Sequence, residues 1–294
     1  MSWETLRRDF RRTMARFSNT GLGGALRVLA RWLRLHLPLP IRTRQRAARP
    51  ERVVISLTTI PARARSLAPV LRSLLDQDMP ADRIILWLPS RSLRQDRDYP
   101  DAGDVHIPEG VEVMRCEDLG PATKLLHSLR LEKDALVIAV DDDVVYPENL
   151  VSTLLSAHRK EPQTAFGLRG VMLEPGTRFV DLWHILSSGI DRAEPADILF
   201  GTWGYMVPAW LCDEAMHDFS GYPASVRWVD DVWISGHLAR LGIARKVTPS
   251  DRFPLETLAS LRHALTDGMN RSGENDEIAI KAFGDVWSKV RPPR

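Results

Sequence analysis

Ala135-Leu136-Val137-Ile138-Ala139-Val140-Asp141-Asp142-Asp143-Val144-Val145-Tyr146-Pro147 is the stretch on which the fold turns. Its first six residues are apolar without alternation, as in a parallel strand covered on both faces; a buried helix segment has the same pattern. Three aspartates follow at once. In open α/β sheets ligands gather at the carboxyl ends of strands, and adjacent carboxylates repel one another and are costly to bury unpaired. A positive partner is therefore expected. A hard divalent cation, Mg2+ or Mn2+, suits oxygen donors and leaves coordination positions open for phosphate. Pro147-Glu148-Asn149-Leu150 reads as a helix start, but a cap needs one carboxylate, not three.

Outward from this stretch, Val53-Val54-Ile55-Ser56-Leu57-Thr58-Thr59-Ile60-Pro61 is a β-rich run ended by proline. Ser66 to Gln77 places Leu67, Val70, Leu71, Leu74 and Leu75 at helical spacing, and Ile84 to Leu88 and Val111 to Met114 read as further strands. Strand–helix–strand repetition calls for an α/β fold with a mostly parallel central sheet flanked by helices. Beyond Arg159 the spacing loosens. Ala165 to Leu168 and Gly204 to Val207 are expected strands, Pro208 to His217 an expected helix, and Asp230 to Leu241 and Asn275 to Trp287 the final helices.

The 294 residues suit one large core with an appendage. The net charge of +2 conceals an asymmetry: residues 1–50 hold twelve arginines against Glu4 and Asp9, or +10, leaving −8 for the rest. Within that segment Leu22, Leu26, Leu29 and Leu33 recur at helical spacing with Arg27, Arg31 and Arg34 between them, which makes a basic amphipathic helix. Such a helix suits an anionic membrane surface, or packs its leucine face on the domain and turns its arginines to water. We expect a basic helical N-terminal appendage over residues 1–50 and a catalytic domain over residues 51–294. No run is long enough for a transmembrane helix, no signal-peptide region is evident, and no aromatic-interleaved basic motif calls for nucleic acid. Cys116 and Cys212 stand alone in sequence, which excludes a disulfide framework and fits a reducing cytoplasm, with the appendage at the inner face of the membrane.

Neither Gly-x-Gly-x-x-Gly nor Gly-x-x-x-x-Gly-Lys-Ser/Thr occurs, so dehydrogenase and P-loop phosphate cradles are missing. A cation bridging aspartates to a diphosphate would serve instead, neutralising both and assisting its departure. The ordered set Val-Ile-Ser-Leu-Thr-Thr-Ile-Pro-Ala-Arg (54–63), Gly-Pro-Ala-Thr-Lys-Leu (120–125), Asp-Asp-Asp-Val-Val-Tyr-Pro (141–147) and Trp-Val-Asp-Asp-Val-Trp (228–233) resembles GT-A-fold glycosyltransferases with an Asp-x-Asp motif, of the exostosin-like and bacterial polysaccharide type. The resemblance spans residues 51–250 and rests on the order of the motifs.

That resemblance implies a metal-dependent enzyme moving a sugar from a nucleotide diphosphate-sugar to a glycan or lipid-linked acceptor in cell-surface polysaccharide synthesis. It places Thr58, Pro61 and Arg63 toward the nucleotide, and Lys124 near the sugar or diphosphate. Asp141 or Asp142 would approach the ribose or sugar hydroxyls. Asp143 would bind the metal, with Asp141 and His263 as further ligands. Asp230 and Asp231 match the second acidic motif, where one carboxylate acts as general base in an inverting enzyme or stabilises positive charge on the sugar in a retaining one. Each has an ordinary alternative. Thr58 suits any strand, Arg63 a solvated helix start, Lys124 a surface turn, and the Asp230–Asp231 pair a helix N-terminus. Trp203, within Gly201-Thr202-Trp203-Gly204-Tyr205, offers a sugar a stacking face or fills the core. The same carboxylates would also serve a metal-dependent nucleotidyl or phosphoryl transferase, or persist in an inactive carbohydrate-binding scaffold.

Overall fold

The unbroken apolar run at 135–140 is the centre of an eight-stranded sheet covered on both faces. The computed structural model describes residues 21–37, 39–41, 44, 48–257, 273–284 and 286–287. The central strands are β1 (Val53–Thr58), β2 (Arg83–Pro89), β3 (Glu112–Cys116), β4 (Leu136–Ala139), β5 (Thr164–Gly167), β6 (Glu194–Pro195), β7 (Tyr205–Pro208) and β8 (Ala244–Val247). Their order across the sheet is β6-β8-β5-β7-β4-β1-β2-β3. The pairs β4/β1, β1/β2, β2/β3 and β8/β5 are parallel, while β7 runs antiparallel between β4 and β5, and β6 antiparallel to β8. The α/β architecture is thus mostly parallel.

The helices are α1 (Gly21–His36), α2 (Ala68–Leu75), α3 (Thr123–Leu131), α4 (Leu150–Lys160), α5 (Asp230–Arg240) and α6 (Glu274–Ala282). Successive strand residues point to opposite faces, and the two cores divide accordingly. Val53, Ile55, Leu57, Leu136 and Ile138 pack with Val70, Leu71 and Leu74 of α2 and Leu150, Leu154 and Leu155 of α4. Val54, Val137 and Ala139 pack with Leu125, Leu126 and Leu129 of α3 and Val232, Trp233 and Leu238 of α5. A strand buried on both faces has no polar side to alternate, which is why its sequence reads as continuous apolar residues.

The described residues fall into two units, one within 1–41 and the other within 42–294. In the first, α1 forms where the leucine spacing places it, and His36 Nδ1 lies 2.8 Å from the carbonyl oxygen of Trp32. No helix among the described residues is long and apolar enough to cross a membrane.

The stretch from Pro208 to His217 departs from the expected helix. It forms two 3-10 turns, Ala209–Leu211 and Glu214–His217, separated at Cys212–Asp213. The Asp213 side chain accepts from the Ala215 N–H at 3.1 Å and starts a second turn instead of continuing the first.

Candidate functional site

The chain passes from β1 outward to β2 and β3, then returns to place β4 on the other side of β1. This reversal opens a crevice beyond the carboxyl ends of β1 and β4, where open α/β sheets bind ligands. The in-register pairing of Ser56 with Ala139 brings Thr58–Thr59 and Asp141–Asp143 to the same edge. Because β7 is antiparallel to β4, with Tyr205 opposite Ala139, the start of β7 arrives there too and delivers Gly201–Gly204. The first turn of α5 adds Asp230 and Asp231. The resulting cleft has a volume of about 220 Å³, and its lining includes Thr58, Thr59, Arg63, Lys124, the three aspartates 141–143, Asp230 and Asp231.

Asp142 is the most fully satisfied of the three. Its Oδ2 accepts from Thr59 Oγ1 at 2.5 Å and its Oδ1 from Arg63 Nη1 at 2.5 Å. Arg63 Nη1 also reaches Asp143 Oδ2 at 3.1 Å, so this guanidinium partly neutralises Asp142 and Asp143 from within the protein. Asp143 keeps 29% of its side chain exposed. Burial, then the neighbouring carboxylates Asp142 and Asp141, push its pKa up to about 7, against the opposing pull of Arg63. Asp141 shifts the other way. Burial raises it, but the Lys124 ammonium and the Thr202 hydroxyl outweigh that and hold it below the ordinary carboxylate range.

Lys124 is not a surface lysine. Its side chain is 6% exposed, with Nζ 2.6 Å from Asp141 Oδ1 and 2.8 Å from Asp230 Oδ2. The first contact has hydrogen-bond geometry; the second is an ion pair lacking that alignment. One buried cation thus spans the two acidic motifs. Burial disfavours its charge, but Asp141, Asp230 and Asp231 raise its pKa well above the usual lysine value. Helix α3 is pinned behind it by Ser56, whose hydroxyl donates to the Lys124 carbonyl and lies 2.7 Å from Ser128 Oγ.

Neither aspartate of the second motif caps its helix. The N-cap of α5 is Val229, without a side-chain cap bond. Asp231 Oδ1 instead accepts from the Gly201 N–H at 3.0 Å. Burial, then Asp230, push the Asp231 pKa well above the carboxylate range. Gly201 is required by proximity: a Cβ there would stand 2.6 Å from Lys124 Nζ and 3.0 Å from Asp141 Oδ1. Gly120, just before α3, adopts φ +71°, and a Cβ on it would meet the Arg227 carbonyl oxygen at 2.9 Å.

Other expected residues fare differently. Pro61 belongs to the turn that aims Arg63, in which the Ile60 carbonyl accepts from Arg63 N–H at 2.9 Å, and it is not among the cleft-lining residues. Thr58 Oγ1 donates to the Trp87 carbonyl at 2.9 Å at the cleft wall. Trp203 is a core residue, 5% exposed and stacked with Phe253 at 6.3 Å between centroids; no sugar-stacking face is presented. His263 lies outside the described residues. Ser92, Arg94, Tyr99 and Asp118 line the cleft as well; the first three come from the polar segment 89–110 and Asp118 from the loop after β3, where no periodicity marks them in the sequence.

The cleft fits a divalent cation in one respect and not in another. Its carboxylate oxygens are hard donors, and Asp143, 29% exposed and flanked by two further carboxylates, is suited to one. Among the described residues, however, no three His, Cys, Asp or Glu side chains gather into a ready metal site. An ion here would take one or two carboxylates and complete its shell with water and ligand oxygens, the usual habit of Mg2+.

No family model and no curated protein matches the chain. Among solved structures it is similar to the mannosyltransferase PcManGT from Pyrobaculum calidifontis in complex with GDP-Man and Mn2+, at 16% identity and a TM-score of 0.44, covering 95% of this chain and 81% of that one. It is also similar to glucosyl-3-phosphoglycerate synthase from Mycobacterium tuberculosis in complex with Mn2+, UDP-glucose and phosphoglyceric acid. There the identity is 14% and the TM-score 0.47, with 80% of each chain covered.

Proposed function

We propose that this chain is a GT-A-like, metal-dependent glycosyltransferase that moves a sugar from a nucleotide diphosphate-sugar to a glycan or lipid-linked acceptor in cell-surface polysaccharide synthesis. The observation that carries this reading is the convergence of two acidic motifs, 141–143 and 230–231, on one cleft at the topological switch point, joined by Lys124. A transfer site needs a donor side that tolerates phosphate and an acceptor side that handles a hydroxyl proton. The motifs supply one each.

On the donor side, Asp143 would hold Mn2+ or Mg2+, with a second contact from Asp141, whose Oδ1 already bears Lys124. The ion would act as a Lewis acid toward the diphosphate. Thr59 and Arg63 fix Asp142 and leave Asp143 facing the cleft. On the acceptor side the two aspartates divide the work. Asp230 is engaged by Lys124, whereas Asp231 has one oxygen on the Gly201 N–H and a raised proton affinity, the property of a group that accepts a proton from an attacking hydroxyl. The basic N-terminal segment would hold the enzyme at an anionic membrane surface on the cytoplasmic side, near a lipid-linked acceptor.

The test is to incubate the full chain with a panel of UDP- and GDP-sugars and Mn2+, following nucleoside diphosphate release. Turnover lost in Asp143→Ala and Asp231→Asn supports the reading. Turnover of nucleoside triphosphate with pyrophosphate release would replace it with nucleotidyl transfer, and binding without turnover would leave a carbohydrate-binding scaffold. Deleting residues 1–50 should abolish partition onto anionic vesicles; unchanged partition would remove the membrane role.

A further inference from the structure

The cleft lining includes six carboxylates and three cations. Two of the cations are already committed: Arg63 to Asp142 and Asp143, and Lys124 to Asp141 and Asp230. Arg94 differs. Among the described residues it has neither a carboxylate nor a hydrogen-bond partner, although it borders the same cleft. Its neighbour Arg91, by contrast, is spent on Asp96 at 2.8 Å and Asp98 at 3.2 Å.

Arg94 is carried by a small hairpin in which residues 91–92 pair antiparallel with 97–98. Three contacts fasten this hairpin to the cleft rim. The Leu93 N–H donates to Asp118 Oδ2 at 2.7 Å, the Ala62 N–H donates to Gln95 Oε1 at 3.2 Å, and Tyr99 Oη donates to the Thr59 carbonyl at 2.7 Å. Asp118 also accepts from the Gly120 N–H at 2.7 Å, so it ties the hairpin to the loop that leads into Lys124. The residues on both sides of Arg94 are thus anchored, while its guanidinium is not.

We infer that Arg94 is a phosphate-binding residue, held over the cleft by this hairpin to receive an anionic ligand that the carboxylates would otherwise repel. The inference rests on the reading above that the cleft takes phosphorylated substrates. A guanidinium fork pairs with phosphate oxygens bidentately and is never deprotonated. An arginine with no internal partner can form such a pair without first breaking another, which Arg63 cannot. The phosphate has two sources: the diphosphate of a nucleotide-linked donor, or the phosphate of a lipid-phosphate acceptor.

The test compares the full-length protein with Arg94→Ala and Arg94→Lys by calorimetry in the presence of Mn2+. The probes are GDP and UDP against guanosine and uridine, and farnesyl monophosphate against farnesol. Loss of one charge-assisted pair is expected to weaken phosphate binding about 10- to 100-fold in Arg94→Ala, with partial recovery in Arg94→Lys. Binding of the unphosphorylated probes and the thermal midpoint should not change. A loss confined to GDP or UDP assigns Arg94 to the donor, and a loss confined to farnesyl monophosphate assigns it to the acceptor; both support the inference. Equal binding of every phosphorylated probe by Arg94→Ala and the native protein would overturn it, as would a native protein that binds no phosphorylated probe. A native protein that binds farnesyl monophosphate but no nucleotide would overturn the donor reading alone, with Arg94 still judged on the lipid arm.

Discussion

Replacing Lys124 by methionine removes the charge that joins the two acidic motifs while keeping most of the volume. Nζ stands 2.6 Å from Asp141 Oδ1 and 2.8 Å from Asp230 Oδ2, in a side chain only 6% exposed. Removing one partner of a buried pair typically costs about 3–5 kcal/mol, because the remaining charge is left uncompensated. Here two carboxylates are stranded, so the loss at pH 8 should reach the upper part of that range, a large fraction of the 5–15 kcal/mol typical of a domain. The pH dependence carries the sharper test. In the native protein the raised Lys124 pKa contributes stability that is present below the ordinary lysine value and lost only as pH climbs through the folded value. The lowered Asp141 pKa contributes stability present above its ordinary value of 3.8 and lost as pH falls through the folded one. Native stability from Lys124 and Asp141 is therefore flat between about pH 5 and 9. In Lys124→Met, burial acts on Asp141 against only the Thr202 hydroxyl and Arg63, so protonation relieves the variant as pH falls. Urea denaturation of both proteins at pH 8 and pH 5 should show the difference shrinking to about half or less on acidification. A loss below about 1 kcal/mol at pH 8, or one independent of pH, would refute the assignment of Lys124 as a buried electrostatic link.

Three further outcomes follow from the same geometry. With an Asp143 pKa near 7 in the metal-free protein, protons compete with the ion, so Mn2+ affinity should fall by up to about tenfold per pH unit below that value and level off above it. Titration calorimetry from pH 5.5 to 8.5 reads this, and Asp143→Asn should bind no Mn2+ while being more stable than the metal-free native protein at pH 8; a flat affinity profile would count against Asp143 as a ligand. Gly201→Ala places a methyl group 2.6 Å from Lys124 Nζ and should cost about 1–3 kcal/mol together with most of the transfer rate. Gly189→Ala, with no atom within 4 Å of the added Cβ, should be nearly neutral, and equal effects at the two glycines would contradict the steric argument. Trp203→Ala should cost about 3–5 kcal/mol in denaturant melts, while Trp203→Phe should leave the donor KM unchanged. A raised KM with unaltered stability would return Trp203 to the sugar.

What the sequence reveals here depends on how local the cause is. The doubly buried strand at 136–139 and the helix at 230–240 are written in local pattern, and so is the triple aspartate at the strand end. Strand β8 is not. Its sequence Ala-Arg-Lys-Val alternates charge into the core, and Arg245 is buried because Nε reaches the Asp197 carbonyl at 2.9 Å, 48 residues earlier in the chain. The antiparallel insertion of β7 beside β4 is equally invisible to periodicity, yet it delivers Gly201 beside Lys124 and Asp141. Lys124 shows the same limit. Its neighbours Thr123 and Leu125 read as an ordinary helix start, and only the meeting of β4, α3 and α5 reveals that the ammonium is enclosed by acids.

Among the described residues no cluster of three ligands is preformed, and the distribution of charge shows which carboxylates of the cleft keep an unmet demand for a cation. Arg63 and Lys124 bind the carboxylates of 141–143 and 230 internally, which lets the protein fold around its acids without a metal. They do so incompletely. Asp143 and Asp231 keep raised pKa values because burial and neighbouring carboxylates outweigh the cations within reach. The two residual demands differ in kind. Asp143 shares its cation with Asp142 and opens to the cleft, so a divalent ion arriving with a ligand's phosphates can satisfy it. Asp231 is held by a backbone N–H deep beside Asp230, so a proton satisfies it most readily. One carboxylate left wanting a cation and another left wanting a proton, in the cleft that Lys124 borders, are the features on which the proposed transfer depends, with a metal-bound phosphate on one side and a hydroxyl proton on the other.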